Sequence, residues 1–244
     1  MTWSELRDLR DSVDLGTPPR DGPPLSVEVD GVAVTVPAGS SVMLAATLAG
    51  RAVPKLCATD MLEPFGSCRL CLVEIDGLKG FPASCTTLVA EGMKIRTRSD
   101  RLDRLRRGVA ELYLSDFPPE DIAGGWSEFH EALRALGVTS HPYGTGADHL
   151  TAPIDVSNPY FLFDPAKCIV CSRCVRACSD IQGTFALTIA GRGFASKVVA
   201  SDDQPFFESE CVSCGACVQS CPTQALVEKS LFNGAYARAE SPPA

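Results

Sequence analysis

The sequence predicts an α+β chain in which two small cysteine-bearing domains flank a helical connector. Three observations carry that prediction. Alternating apolar residues around an Asp-Gly turn open the chain after residue 24, an amphipathic stretch follows residue 98, and one cysteine pattern occurs twice after residue 160. An internal repeat of that kind describes architecture before it describes chemistry.

Residues 1–24 end in TPPRDGPP, which cannot lie inside a regular element, so they read as an N-terminal tail with a short helix carrying Trp3, Leu6 and Leu9. From Leu25 the pattern changes. Val27 and Val29 alternate with polar residues, Asp30-Gly31 supplies a hairpin turn, and Val32, Val34 and Val36 continue the alternation. A short helix is predicted over 41–49. The cysteine loop from Cys57 to Cys71 and a second alternating strand, 72–75, complete a β-grasp order of elements within residues 25–98.

Residues 99–159 read as the connector. Ser99 is an N-cap candidate for a helix whose apolar face is predicted at Leu102, Leu105, Val109 and Leu112, with its arginines in solvent. A second helix is predicted over 127–136 within a stretch rich in Pro and Gly. Residues 160–232 hold the repeat, with a hairpin predicted in TFALTIAGRGFASKVVA between its halves, and 233–244 read as a C-terminal tail.

The 244 residues carry a net charge of −8, which disfavours nucleic acid and anionic membranes as partners because phosphate contacts need clustered Lys and Arg. No apolar run is long enough for a bilayer, so membrane insertion is not expected. MTWSELRDLRDSVDLG lacks the apolar core of a signal peptide. The expectation is therefore a cytoplasmic protein, whose twelve cysteines serve as metal ligands rather than disulfides.

Cys168, Cys171, Cys174 and Cys178 form the run C-x2-C-x2-C-x3-C, and Cys211, Cys214, Cys217 and Cys221 repeat it, followed by Pro222. This is the bacterial two-cluster ferredoxin spacing, in which the fourth cysteine of each run ligates the other cluster. One [4Fe–4S] cluster is accordingly assigned to Cys168, Cys171, Cys174 and Cys221, and a second to Cys178, Cys211, Cys214 and Cys217. The first run has Ser179 where the pattern has proline. Zinc is the alternative for paired C-x2-C knuckles, but a third cysteine at the next x2 step is not a zinc requirement.

Cys57, Cys68, Cys71 and Cys85 remain, and they are assigned to a [2Fe–2S] cluster. Their first interval departs from the plant-type pattern, so zinc stays open at this site. Within EPFGSCRLC, Gly66 can take positive φ and let backbone N–H groups approach sulfur. These three sets use every cysteine, leaving none for nucleophilic catalysis. His130, His141 and His149 have no paired carboxylate or nucleophile motif and read as surface or packing residues. No catalytic residues are assigned, and GRGF at Gly191 and Gly193 lacks the setting of a nucleotide loop.

In this order of domains, PASCTTLVAEGMKIRT, RLRRGVAELYLSD, NPYFLFDPAKCIVCSRCVRAC, QGTFALTIAGRGF and SECVSCGACVQSCPTQAL resemble the N-terminal iron–sulfur region of the α subunit of NAD-dependent molybdenum or tungsten formate dehydrogenase. Related are the diaphorase small subunit of NAD-linked hydrogenase and the large iron–sulfur subunit of respiratory complex I. The resemblance implies an electron-transfer subunit, not catalytic alone, between a flavin- and NAD(P)H-binding subunit and a molybdopterin or nickel–iron catalytic subunit. A zinc-stabilised scaffold without electron flow and a freestanding ferredoxin are the rival readings.

The family pattern also holds a further [4Fe–4S] cluster on one His and three Cys after the amphipathic helix. Those positions align here with Phe117, Asp121, Gly124 and His130, and Phe117 cannot ligate iron. The expectation is that this cluster is absent and that packing holds the connector. The family's large catalytic domain has no counterpart within these 244 residues.

Overall fold

The computed structural model describes residues 14–122 and 125–231. The helix expected around Trp3, Leu6 and Leu9, the position Gly124 and the tail after 232 lie outside the described residues. The chain divides into two compact units, one running to Ala110 with 135–137, the other comprising 111–134 and the residues from Val138 onward.

In the first unit, β1 (Pro24–Val29) and β2 (Val32–Pro37) form an antiparallel hairpin in which Val29 faces Val32. Asp30 and Gly31 both take positive φ, 47° and 80°, as a tight turn matched to strand twist requires. The Asp30 carboxylate then accepts from the Thr97 backbone N–H at 2.8 Å and from its hydroxyl, tying the turn to a distant segment. Helix α1 (Val42–Leu48) starts where the Ser41 hydroxyl caps it, accepting from Leu44 N–H at 3.0 Å. Strands β3 (Glu74–Ile75) and β4 (Lys94–Arg96) complete a mixed sheet in the order β2-β1-β4-β3, with β1 and β4 parallel. The predicted strand over 72–75 is thus only two residues of ladder, with Leu72 forming a single bridge to Ala83. The core beneath the sheet joins Val27, Val29, Val36, Val73 and Ile95 to the buried face of α1.

Residues 14–23 are not a free tail. Leu15 and Thr17 are buried, and Asp14 pairs with Lys55. The sequence reading failed there because one apolar residue among Pro and Gly gives no periodic signal.

Helix α2 (Asp100–Ser115) begins where Ser99 Oγ accepts from Leu102 N–H at 3.2 Å. Its buried side is Leu102, Arg106, Ala110 and Leu114, whereas Leu105 and Leu112 are 39% and 54% exposed. This corrects the apolar face expected from the sequence, and it corrects the solvated arginine face at one residue. Arg106 goes inward, at 2% exposure, because its guanidinium finds the Leu72 carbonyl as acceptor.

In the second unit, α3 (Glu128–Leu136) buries Phe129, His130 and Leu133. Strand β5 (Phe161–Phe163) pairs antiparallel with β8 (Leu226–Glu228), which brings the start of the first cysteine run beside the end of the second. Between them lie α4 (Arg173–Arg176), a π turn over Ala177–Gln182, the antiparallel hairpin β6 (Leu187–Ala190) and β7 (Lys197–Ala200), and α5 (Ala216–Ser220). Phe161, Phe163, Leu187, Val198, Phe206 and Leu226 pack around the cysteines as one core. Among the described residues no helix is long and apolar enough to cross a membrane.

Candidate metal centres

Cys57, Cys68, Cys71 and Cys85 converge in the first unit, each at most 1% exposed. Cys71 Sγ and Cys85 Sγ are 3.4 Å apart, and the Cys68 backbone N–H points at Cys57 Sγ at 3.4 Å. Gly66 has φ +73°, which favours glycine, and a Cβ there would stand a tight 3.1 Å from Thr86 Cγ2.

The thiols titrate as a set. Hydrogen bonding from Cys68 and Cys85 drives the Cys57 thiol far down, and hydrogen bonding from Cys85 brings Cys71 down to about 7. The donors pay the converse: hydrogen bonds to Cys57 push Cys68 and Cys85 far up. Four thiols this close cannot all ionise around empty space. A cationic iron–sulfide core would displace the remaining protons and take all four as thiolates.

In the second unit the two cysteine runs fold alike. Val170 and Ser172 in the first have positive φ, as do Ser213 and Gly215 at the matching places in the second. In each run an N–H two residues on, Val170 or Ser213, points at the first cysteine's sulfur at 3.4 Å. Such N–H groups favour the more anionic state of a cluster held there.

Two cavities result. One is lined by Cys168, Cys171, Cys174 and Cys221 with Phe163 and Val198. The other is lined by Cys178, Cys211, Cys214 and Cys217 with Phe161 and Leu187. Each takes three cysteines from one run and the fourth from the other. Burial pushes Cys168 and Cys217 up to about 12 and raises Cys174 well above the usual thiol range, with neighbouring thiols adding to the effect. The first cavity is the more enclosed: Cys168, Cys171 and Cys174 are buried, whereas Cys214 is exposed.

The donor set is sulfur alone, with no His or carboxylate lining either cavity. Among the described residues no group of three or more His, Cys, Asp or Glu is arranged around a single ion. Soft sulfur donors in sets that are not arranged around a single ion fit an iron–sulfide core better than zinc.

The sequence reading missed two buried arginines beside these centres. Arg173, between Cys171 and Cys174, is 2% exposed and donates to both oxygens of Glu128 at 2.7 and 2.8 Å and to the Ser220 carbonyl at 3.3 Å. It therefore fastens α3, the first run and the residue before Cys221 together. Arg106 is the other. An arginine inside a cysteine run reads as solvated surface, and only the position of a carboxylate from another element reveals otherwise.

At the positions aligned with the family's additional cluster, Phe117 is 1% exposed, with its ring 4.9 Å from Phe129 and 5.7 Å from His130. His130 Nε2 donates to the Asp121 carbonyl at 2.9 Å, and its Nδ1 lies 2.8 Å from Ser127 Oγ. His149 is likewise buried, its Nε2 donating to the Asp116 carbonyl at 3.3 Å.

Residues 22–100 match the model of a 2Fe-2S iron-sulfur cluster binding domain, and residues 167–225 match that of a 4Fe-4S dicluster domain. The chain is 34% identical over 208 residues, 84% of its length, to an NADPH-Fe(3+) oxidoreductase subunit alpha of Geobacter sulfurreducens, of which it covers 24%. It is 30% identical over 228 residues to a Staphylococcus haemolyticus protein provisionally named a formate dehydrogenase, covering 90% of this chain and 22% of that one. Hydrogenase and NADH-quinone oxidoreductase subunits match at comparable identity. The chain thus spans about a quarter to a third of the length of such curated relatives. A chain of an NAD+-reducing [NiFe]-hydrogenase crystal structure superposes with a TM-score of 0.75 at 31% identity, covering 84% of this chain and 88% of that one. The chain belongs to the iron–sulfur family that joins a 2Fe–2S domain to a 4Fe–4S dicluster domain and includes this hydrogenase subunit.

Proposed function

We propose that this chain is the iron–sulfur electron-transfer subunit of a multi-subunit NAD(P)-linked oxidoreductase. Its ligands are Cys57, Cys68, Cys71 and Cys85 for a [2Fe–2S] cluster, Cys168, Cys171, Cys174 and Cys221 for one [4Fe–4S] cluster, and Cys178, Cys211, Cys214 and Cys217 for the other. When bound, the clusters supply one-electron storage and transfer. The carrying observation is the pair of cavities, each walled by three cysteines of one run and the fourth of its repeat.

The protein's own part is to fix the sulfurs, exclude water and present N–H groups to them. The hairpin, α1 and the parallel β1–β4 pair support a β-grasp arrangement for the first domain. A set of twelve cysteines in this role supports a reducing, cytoplasmic location. The partners are a flavin- and NAD(P)H-binding subunit and a molybdopterin-bearing catalytic subunit, with formate as substrate of the whole complex. The second reading, a nickel–iron partner and hydrogen, is favoured by the likeness to the hydrogenase chain.

Anaerobic purification decides the first question. About ten iron atoms per chain with matching acid-labile sulfide are expected from one two-iron and two four-iron clusters. A colourless chain holding zinc in place of iron refutes electron transfer and leaves the scaffold reading. Formate-dependent against hydrogen-dependent NAD(P) reduction by the co-purified complex separates the two substrates.

A further inference from the structure

We infer that Arg106 is the cation that raises the reduction potential of the centre at Cys57, Cys68, Cys71 and Cys85; this rests on the [2Fe–2S] reading of that centre. Arg106 reaches inward from α2 to donate to the carbonyl of Leu72, the residue after Cys71. Its side chain is 2% exposed, and its Nε has no hydrogen-bond partner among the described residues.

The nearest carboxylate compensates it weakly. Asp103 Oδ1 is 3.7 Å from Arg106 Nη1, and Asp103 also pairs at 3.1 Å with Arg98, while its own side chain is 37% exposed. Arg98, Asp30 and Cys71 itself also act electrostatically on Arg106. Arg106 cannot shed its proton, so an under-compensated guanidinium this deep is costly unless a buried anion faces it. Four thiolates around an iron–sulfide core are that anion, and each added electron makes them more negative. Arg106 therefore stabilises the reduced form more than the oxidised one. Arg173, held by both oxygens of Glu128, carries no such surplus.

The test is an EPR-monitored titration of the full chain with dithionite, one electron per [2Fe–2S] cluster. Arg106→Met is expected to lower the reduced-to-oxidised ratio at a fixed potential about tenfold, a shift of about 59 mV to the negative for one electron. Arg106→Lys, which keeps the charge, shifts it less. Asp103→Asn, which unmasks the charge from a half-exposed position, shifts it to the positive. The [4Fe–4S] signals serve as internal controls and stay in place. Equal shifts in Arg106→Met and Arg106→Lys would assign the effect to packing and overturn the inference, as would an Asp103→Asn protein with full cluster content and an unmoved or more negative midpoint. Absence of a [2Fe–2S] signal from the unsubstituted chain would instead refute the cluster reading.

Discussion

Glu128→Gln isolates the link between the connector and the first cysteine run. Arg173 donates to both carboxylate oxygens of Glu128, and its third acceptor is the carbonyl of Ser220, beside Cys221. Hydrogen bonds to charged groups contribute about 1.5–3 kcal/mol each. Glu128 is 43% exposed, so water screens it, and glutamine keeps one acceptor. The net loss is about 2 kcal/mol, equivalent to a roughly 30-fold easier local opening. Because Arg173 lies between Cys171 and Cys174, that opening falls on the cavity of the first run. Iron release to a chelator, followed by EPR under anaerobic conditions, should accelerate by about that factor for the Cys168 centre and change little for the Cys211 centre. Equal acceleration of both, or a change below about threefold, would refute the role of the clamp.

Cys221→Ser should deplete the cluster held by Cys168, Cys171 and Cys174 and spare the one held by Cys211, Cys214 and Cys217; loss confined to the latter would overturn the crossed assignment. Phe117→Ala should destabilise the second unit by about 3–5 kcal/mol, because removing a buried ring packed against Phe129 and His130 leaves a cavity; denaturant unfolding that shows less than about 1 kcal/mol would place the ring outside the core. Burial raises the Asp14 carboxyl, but the Lys55 cation and N–H groups of Gly16 and Asp60 overcome it and hold its pKa below the ordinary 3.8. Its stabilisation is therefore complete above that pH and is lost as pH falls below it. Asp14→Asn should flatten the acid arm of the unfolding curve, and an unchanged arm would remove Asp14 from the account.

Legibility followed the kind of constraint. The sharing of cysteines between the two runs was readable because their spacing is local and repeated, and the first hairpin because Asp30-Gly31 declares its turn between alternating valines. Strand β4 was invisible although it lies between β1 and β3, because Lys94–Arg96 offers one apolar residue in three. Strands β5 and β8 are three residues each, and their pairing joins positions some 65 apart, so nothing local announces it. The face of α2 was misplaced for a different reason. Periodicity scores arginine as polar surface, whereas Arg106 is inward, where the Leu72 carbonyl accepts from it.

The unusual interval between Cys57 and Cys68 has a structural use that spacing alone conceals. Its ten residues include a turn closed by a bridge between Thr59 and Leu62. Asp60 sits on that turn. Its backbone N–H donates to Asp14 Oδ1 at 2.9 Å, and its own carboxylate accepts from Leu15 N–H at 3.2 Å. Leu15 is thereby seated at 1% exposure, and Gly16 passes so close that a Cβ would overlap the Met43 sulfur at 2.5 Å. Met43 in turn packs with Cys71 and Cys85. The longer loop thus trades a compact cysteine spacing for an apolar layer that packs against the sulfurs and keeps water from them.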